Sequence, residues 1–395
     1  MAKNSNLGQA KQAKNDEFYT QYADIQKEVN AYIEYNPDVF RGKTILLPCD
    51  DPEWSNFTKF FAKNFAYFGL RKLISTSYAI ESKKYKTDWQ PTLFETANPL
   101  YDADKTRIKG KIFTLTHDTN RNGRIDIDDL EWHYMEDDGD FRSKEVTRLR
   151  DEADIIITNP PFSLFREFVQ WIMDGGKQCL LIGSKNAITY KEIFPLIKEN
   201  RLWVGTTSFN KDMLFIPPAT ISKEEKNSTS VRVVGDEVFL RSPAVWFTNI
   251  DHGRRHQPLQ LMTMEDNIMY SRHKEIKGIG YQRYDNYDAI EVPFTDAIPS
   301  DYDGIMGVPI SFLDKYCPEQ FEIVGITKTW YGLASKTYPE QIQVDKSGKE
   351  TRVTKLNDGP ALQITGASDY NTYYKVEHNL YIQTYARILI RKKQS

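Results

Sequence analysis

Apolar residues in this chain cluster in short runs, and amphipathic stretches separate the runs. Residues 43–47, 73–76, 154–158 and 178–182 are four- or five-residue blocks rich in Ile, Leu and β-branched residues. Runs of this length and composition read as strands buried on both faces, which is the habit of parallel sheets. Between the first two runs, Ser55 stands ahead of Phe57, Phe60, Phe61, Phe65 and Phe68, with Gly69 after them. That is a capped helix with one apolar face and a glycine stop. The resulting βαβ unit has the usual length of roughly thirty residues. After 154–158, Ser163 is expected to cap a helix bearing Leu164, Phe165, Phe168, Val169 and Ile172, closed by Gly175-Gly176. The segment ending at Gln21 leads into a helix with Ile25, Val29, Tyr32 and Ile33 inward, a helix is expected over 189–199, and 202–204 is a further strand. Runs at 231–234, 238–240 and 245–248 are expected to close the same sheet with antiparallel strands.

The pattern is α/β. At 395 residues, 40% hydrophobic and 13% aromatic, the chain can form two domains with a large core. Residues 1–14 are polar and basic, and read as a disordered tail. No signal peptide and no membrane-length apolar run is present, so a cytoplasmic protein with no membrane association is expected. Cys49, Cys179 and Cys317 form no CxxC and read as free thiols in a reducing compartment. The net charge of -3 offers no global basic signature, so any contact with nucleic acid must be local.

The third strand runs straight into Asn159-Pro160-Pro161-Phe162. Two prolines cannot continue a ladder, so this tetrapeptide sits at a strand's carboxyl end, where open α/β sheets bind ligands. Asn159 supplies a side-chain carbonyl, and Pro160 a rigid main-chain carbonyl without a competing N–H. Together they can accept both hydrogens of an exocyclic amine, while Phe162 offers a face for a base to stack on. The alternative is an ordinary Pro-Pro turn. The first strand, in turn, runs into Asp50 and Asp51, which can meet cationic groups and hydroxyls or can cap the following helix. Near the N-terminus, Phe18-Tyr19-Thr20 precedes the first helix, where it could form no more than a hydrophobic staple.

Asn159–Phe162 resembles the signature of amino-group methyltransferases that use S-adenosylmethionine. Pro48-Cys49-Asp50-Asp51-Pro52, standing where most such enzymes carry a glycine-rich turn, is similar to the EcoRI-type adenine-specific DNA methyltransferase family. So are Gly139-Asp140-Phe141-Arg142-Ser143, Gly183-Ser184-Lys185-Asn186, Trp246-Phe247-Thr248-Asn249 and Tyr302-Asp303-Gly304-Ile305, in that order along nearly the whole chain. The resemblance implies a Rossmann-like class I methyltransferase domain over 15–251, with an insertion at about 80–138, and a target-recognition domain over 252–395. It implies S-adenosylmethionine as cofactor, with Phe18, Tyr19 and Thr20 at its carboxylate and thioether end. Asp50, Asp51 and Asn159 belong to the same pocket, and Asp140 and Phe141 lie at its adenine. It implies double-stranded DNA as partner, a target adenine taken out of the duplex, a monomer, and a role that can include a restriction endonuclease acting on the same site. Two rival functions share the tetrapeptide: an RNA guanine-N2 methyltransferase, and a catalytically silent DNA-binding relative.

From residue 252 basic and aromatic residues interleave. Arg254, Arg255, Lys274, Tyr281 and Arg283 are candidates for phosphate contact with stacking, or else form a solvated face. A β-rich segment ending in a cationic tail is expected over 386–393, and a polar loop over 223–230. Finally, Asp118, Asn120, Asn122, Arg124 (through its main-chain carbonyl), Asp126 and Asp129 have the spacing of a calcium loop with Gly123 at its sixth position. The plain alternative is an Asn-Gly turn between two strands.

Overall fold

The computed structural model describes residues 19–48, 50, 55–79, 96, 99–217, 231–235, 237–367 and 370–394. Phe18, Cys49, Asp51, the 1–14 tail and the 223–230 loop lie outside the described residues. The chain divides into two compact units, one of residues up to 187 with 204–252, the other of 188–203 with 253–395.

The first unit runs β1 (Tyr19–Thr20), α1 (Tyr22–Tyr35), β2 (Thr44–Leu47), α2 (Asn56–Lys63), β3 (Lys72–Ser77), β4 (Lys111–Leu115), β5 (Glu131–Tyr134), α3 (Lys144–Glu152), β6 (Ile155–Thr158), α4 (Phe165–Asp174) and β7 (Gln178–Ser184). After β8 (Trp203–Val204), the strand at which the chain passes between units, come β9 (Met213–Ile216), β10 (Val231–Val234), β11 (Glu237–Ser242) and β12 (Ala244–Thr248). The large sheet is mixed, in the order β5-β4-β3-β2-β6-β7-β12-β8. Its centre, β3-β2-β6-β7, is parallel. The continuous apolar runs follow from burial on both faces. Ile45, Leu47, Ile155, Ile157, Leu180 and Ile182 pack with α1 and α2, while Leu46, Ile156, Leu181 and Phe247 are buried on the other face. There, Phe165 of α4 packs on Phe247, with ring centroids 5.0 Å apart.

Several expectations change. Ser55 caps α2 by accepting from the Phe57 N–H, and Gly69, at φ +63°, ends the turn that follows. Ser163, however, is not a cap. The double proline leads into a single 3-10 turn, Phe162–Leu164, and α4 starts after it with Leu164 at its N-cap position. The expected helix over 189–199 shrinks to α5 (Phe194–Lys198), with Pro195 in its first turn, where the missing N–H costs no intrahelical bond. Part of the stretch read as an insertion is sheet: β4 and β5 extend the large sheet's edge as antiparallel strands, burying Phe113 and Trp132. Only β12 of the three late strands joins that sheet. β10 and β11 instead form a hairpin in a second sheet, β1-β9-β11-β10, because β11 continues onto β9 and β9 onto β1.

The second unit contains α5, α6 (Met264–Tyr270) and the strands β13 (Ile290–Glu291), β14 (Met306–Pro309), β15 (Phe321–Ile326), β16 (Ile342–Asp345), β17 (Glu350–Arg352), β18 (Ala361–Ile364), β19 (Thr372–Val376), β20 (Asn379–Gln383) and β21 (Arg387–Lys392). They form a four-stranded sheet, β13-β14-β21-β15, and a five-stranded one, β17-β16-β19-β20-β18. The expected β-rich terminal segment is the interior strand β21, and cations of its expected tail are engaged within the unit. Arg387 pairs with the buried Glu291 at 2.6 Å, Arg391 with Glu322 at 2.9 Å, and Lys392 Nζ donates to the Ser300 carbonyl. Among the described residues, no helix is long and apolar enough to cross a membrane.

Candidate active site

Because β2, β3, β6 and β7 are parallel, their carboxyl ends share one edge of the sheet, where a ligand site is expected. β6 delivers Asn159 there. The Thr158 hydroxyl donates to the Pro48 carbonyl at 2.8 Å and locks the end of β6 to the end of β2. Asn159 is half-buried, Pro160 is buried and Pro161 half-buried. Phe162 is half-buried against the core cluster beneath α1 and α2.

At the end of β2, Asp50 is buried, and its Oδ1 accepts from the Ser55 hydroxyl at 2.7 Å. The Asp50 carbonyl accepts from the Thr58 hydroxyl at 2.9 Å and also from the Ser75 hydroxyl. Ser55 performs the cap, and Asp50 braces the capping hydroxyl. Asn56, the next residue, donates from Nδ2 to the Thr20 carbonyl at 2.7 Å. That bond ties the start of α2 to β1. Thr20 and Asp50 thus meet at the N-terminal turn of one helix. Thr20 is buried, and its hydroxyl oxygen has no hydrogen-bond partner among the described residues. A buried hydroxyl without a partner is costly unless a ligand completes it.

Asp140 belongs to the end of β3. The Ala79 N–H donates to the Asp138 carbonyl at 2.8 Å, and Tyr78 donates its hydroxyl to Asp140 Oδ2 at 3.1 Å. This approach needs a glycine: at Gly139, with φ +84°, a Cβ would lie 2.6 Å from the Ser77 carbonyl. The Arg142 guanidinium grips Asp140 at 2.8 and 2.6 Å and holds its carboxyl below the usual carboxylate range. Phe141 is buried edge-on against Phe168 and Trp171, at 5.0 and 5.6 Å between centroids. Its ring belongs to the packing of α4.

The structure also brings in Lys185, which the sequence reading noted only within a longer motif. Just beyond β7, its Nζ donates to the Phe209 carbonyl at 2.5 Å, the Lys211 carbonyl at 3.2 Å and Asp212 Oδ1 at 3.0 Å. No local feature signals this, since the acceptors lie more than twenty residues downstream.

The expected phosphate contacts fare unevenly. Arg255 is a correction: it is buried, its guanidinium lies 3.7 Å from the Trp203 ring centroid, and it donates to Asn200. A side chain so enclosed cannot meet a phosphate. Arg254 pairs with the buried Asp314 at 2.8 Å. Tyr281 donates to the Ala297 carbonyl at 2.6 Å. Arg283 pairs with the exposed Asp288, and Lys274 is exposed.

The 118–129 stretch joins β4 to β5. Asp118 accepts from the N–H groups of Asn122 and Gly123, Asn120 from Asn122, Asn122 from Arg124, and Asp126 from Asp128. Asp129 is buried and accepts from the N–H groups of Thr119, Asn120 and Asp126, closing the loop on itself. Among the described residues, no three His, Cys, Asp or Glu side chains are grouped to hold a metal ion.

The chain is similar to known methyltransferases. The family model described as adenine-specific methyltransferase EcoRI matches residues 6–393. The type II methyltransferase M.EcoRI of Escherichia coli is 38% identical over 329 residues, 83% of this chain and 90% of that protein. M.MpnI of Mycoplasma pneumoniae is 34% identical over 319 residues, covering 80% and 84% of the two chains. M.MgeORF184P of Mycoplasma genitalium is 31% identical over 389 residues, covering 98% and 99%. No solved structure matches the chain.

Proposed function

The chain belongs to the EcoRI family of adenine-specific methyltransferases, and from that premise we propose that it methylates the N6 amino group of adenine at a specific site in double-stranded DNA. The observation that carries this reading is the placement of Asn159, Pro160 and Phe162 at a strand end beside Asp50 and Thr20. The large mixed sheet serves, in this proposal, as a Rossmann-like class I methyltransferase domain, and the second unit as the target-recognition domain.

S-adenosylmethionine, the expected cofactor, supplies a methyl group already activated by a positive sulfur. The residues present fit it. The Thr20 hydroxyl lacks a partner among the described residues and suits a carboxylate or ammonium. Asp50 suits a cation or a hydroxyl, and Asp140 an amino group. Phe18 and Asp51 complete the proposed set from outside the described residues. The target adenine enters by leaving the duplex. Asn159 Oδ1 and the Pro160 carbonyl accept its two amino hydrogens, which turns the nitrogen lone pair out of the ring. Phe162 stacks on the base. The protein's contribution is thus position and electrostatics, without a nucleophilic side chain. Incubation with labelled S-adenosylmethionine and either duplex DNA or RNA is expected to give N6-methyladenine in the DNA alone. Methylated guanine in RNA, or no product from either, would overturn the reading.

For DNA contact the proposal keeps Lys274, Tyr281, Arg283 and Arg254 and leaves out Arg255. Changing Lys274 and Arg283 to alanine is expected to weaken DNA binding and flatten its dependence on log salt by about 0.9 per lost phosphate contact. An unaltered slope would move the phosphate contacts elsewhere. The 118–129 turn is proposed as a calcium loop on its alternating oxygens, separate from methyl transfer. Calcium should then raise the melting temperature and Asp118→Ala should abolish the rise; indifference to calcium reduces the stretch to a turn. A cytoplasmic monomer, alongside a restriction endonuclease cutting the same site, is the setting proposed. Sedimentation at dimer mass would contradict the first part.

A further inference from the structure

Lys185 is one residue past the end of β7, and its side chain is 14% exposed. It turns away from solvent toward a single segment of chain, 209–212, and gives that segment three hydrogen bonds: to two main-chain carbonyls and one carboxylate. Its own N–H is fixed as well, donating to the Pro243 carbonyl at 2.8 Å. Asp212 is gripped a second time, by Arg241 at 2.7 Å. An ammonium this enclosed must be both paired and fully hydrogen-bonded, and this one is. The segment continues directly into β9, whose Phe215 pairs with Thr20. It is therefore anchored at one end to the cofactor-side strand and at the other to the tip of β7.

The position of that tip gives the arrangement its meaning. Thr158, the last residue of β6, pairs with Leu181, so β7 runs on for three residues beyond the point where Asn159 leaves the ladder. Lys185 and the segment it holds therefore lie at the carboxyl end of the strand next to the one that carries Asn159. Phe209, whose carbonyl accepts the shortest of the three bonds, is largely buried, with its ring centroid 6.0 Å from the Lys185 ammonium.

We propose that Lys185 is a positioning residue for methyl transfer, holding the 209–212 segment as a wall of the pocket that receives the target adenine. This rests on the assignment of Asn159–Phe162 as the adenine site. Lys185 does not touch the reacting atoms. It fixes main chain beside them, so that its loss admits the base in unproductive poses and leaves the cofactor side intact.

The test compares wild type, Lys185→Ala and Lys185→Arg in single-turnover methylation of duplex DNA, with S-adenosylmethionine affinity by calorimetry and melting temperature measured alongside. A displacement of about 1 Å in a positioning group costs on the order of a hundredfold in rate, and that loss is expected for Lys185→Ala at saturating DNA. Cofactor affinity should stay near wild type, while the melting temperature of Lys185→Ala should fall, because Asp212 and two carbonyls lose their donor. Lys185→Arg, which can still donate to Asp212, should recover much of the rate. A Lys185→Ala rate equal to wild type overturns the proposal. So does a loss of cofactor affinity that matches the loss of rate, since that is a purely structural role. A wild type that methylates no adenine in DNA instead removes the underlying site assignment.

Discussion

Asn159→Ala is expected to lower methyl transfer by on the order of a thousandfold, as removal of a single well-aimed polar partner at a reacting group does, with little change in S-adenosylmethionine affinity. The asymmetry follows from the site. The side chain of Asn159 is at the end of β6, whereas Thr20 and Asp50 are gathered at the start of α2 by Asn56 and Ser55. The Thr158–Pro48 bond that holds the β6 end in place uses neither atom of the Asn159 amide. Alanine thus removes an acceptor for the adenine amino group and leaves the Thr158–Pro48 bond in place. Phe162→Trp should be milder than Phe162→Ala, because a flat face survives. Single-turnover rates with calorimetry for the cofactor separate these effects. Full turnover in Asn159→Ala would end the catalytic assignment.

The parallel centre of the sheet was legible because its strands are buried on both faces and therefore continuously apolar; β2, β3, β6 and β7 fall on the four runs. The tetrapeptide at 159–162 was legible for a related reason: proline forbids the ladder to continue, and a strand end in an α/β sheet is where ligands bind. What escaped was long-range. Nothing local distinguishes Val231–Val234, which pairs into the small sheet, from Ala244–Thr248, which closes the large one. Arg255 read as a surface cation because interleaved basic and aromatic residues look alike whether they face water or one another, and Trp203 lies some fifty residues upstream. The β-rich character of the terminal segment was legible, but the pairing of its cations with Glu291 and Glu322 was not, those partners being distant in sequence. Ser163 failed as a cap because two prolines fix the entry angle and interpose a 3-10 turn.

Glu28→Gln is expected to destabilise the protein by about 2 kcal/mol, the cost of leaving one buried N–H donor against an amide NH2, and Glu28→Ala by more, since both N–H donors then lose their acceptor. Glu28 is wholly buried on α1 and accepts five hydrogen bonds. The Thr206 N–H meets Oε1 at 2.6 Å and the Thr207 N–H meets Oε2 at 3.0 Å. Glutamine keeps the shape, yet either orientation of its amide sets an NH2 against one of those N–H groups. Only a group with acceptors on both sides fits. The neighbouring Gly205 has no room to yield, since a Cβ there would lie 2.1 Å from Oε1. Burial raises the Glu28 pKa above its ordinary 4.5, opposed by the threonine donors and Tyr32. A raised folded-state pKa gives a contribution that is full below the unfolded value and lost as pH rises through the folded one. Wild type should accordingly lose part of its margin over the glutamine variant as pH climbs above about 4.5, the reference from which the shift is taken. Thr206 and Thr207 open the segment that Lys185 closes, so the same variant should also loosen the pocket wall. Urea midpoints for both variants across pH decide the matter; a Glu28→Gln midpoint equal to wild type would show that the carboxylate is not the fastening.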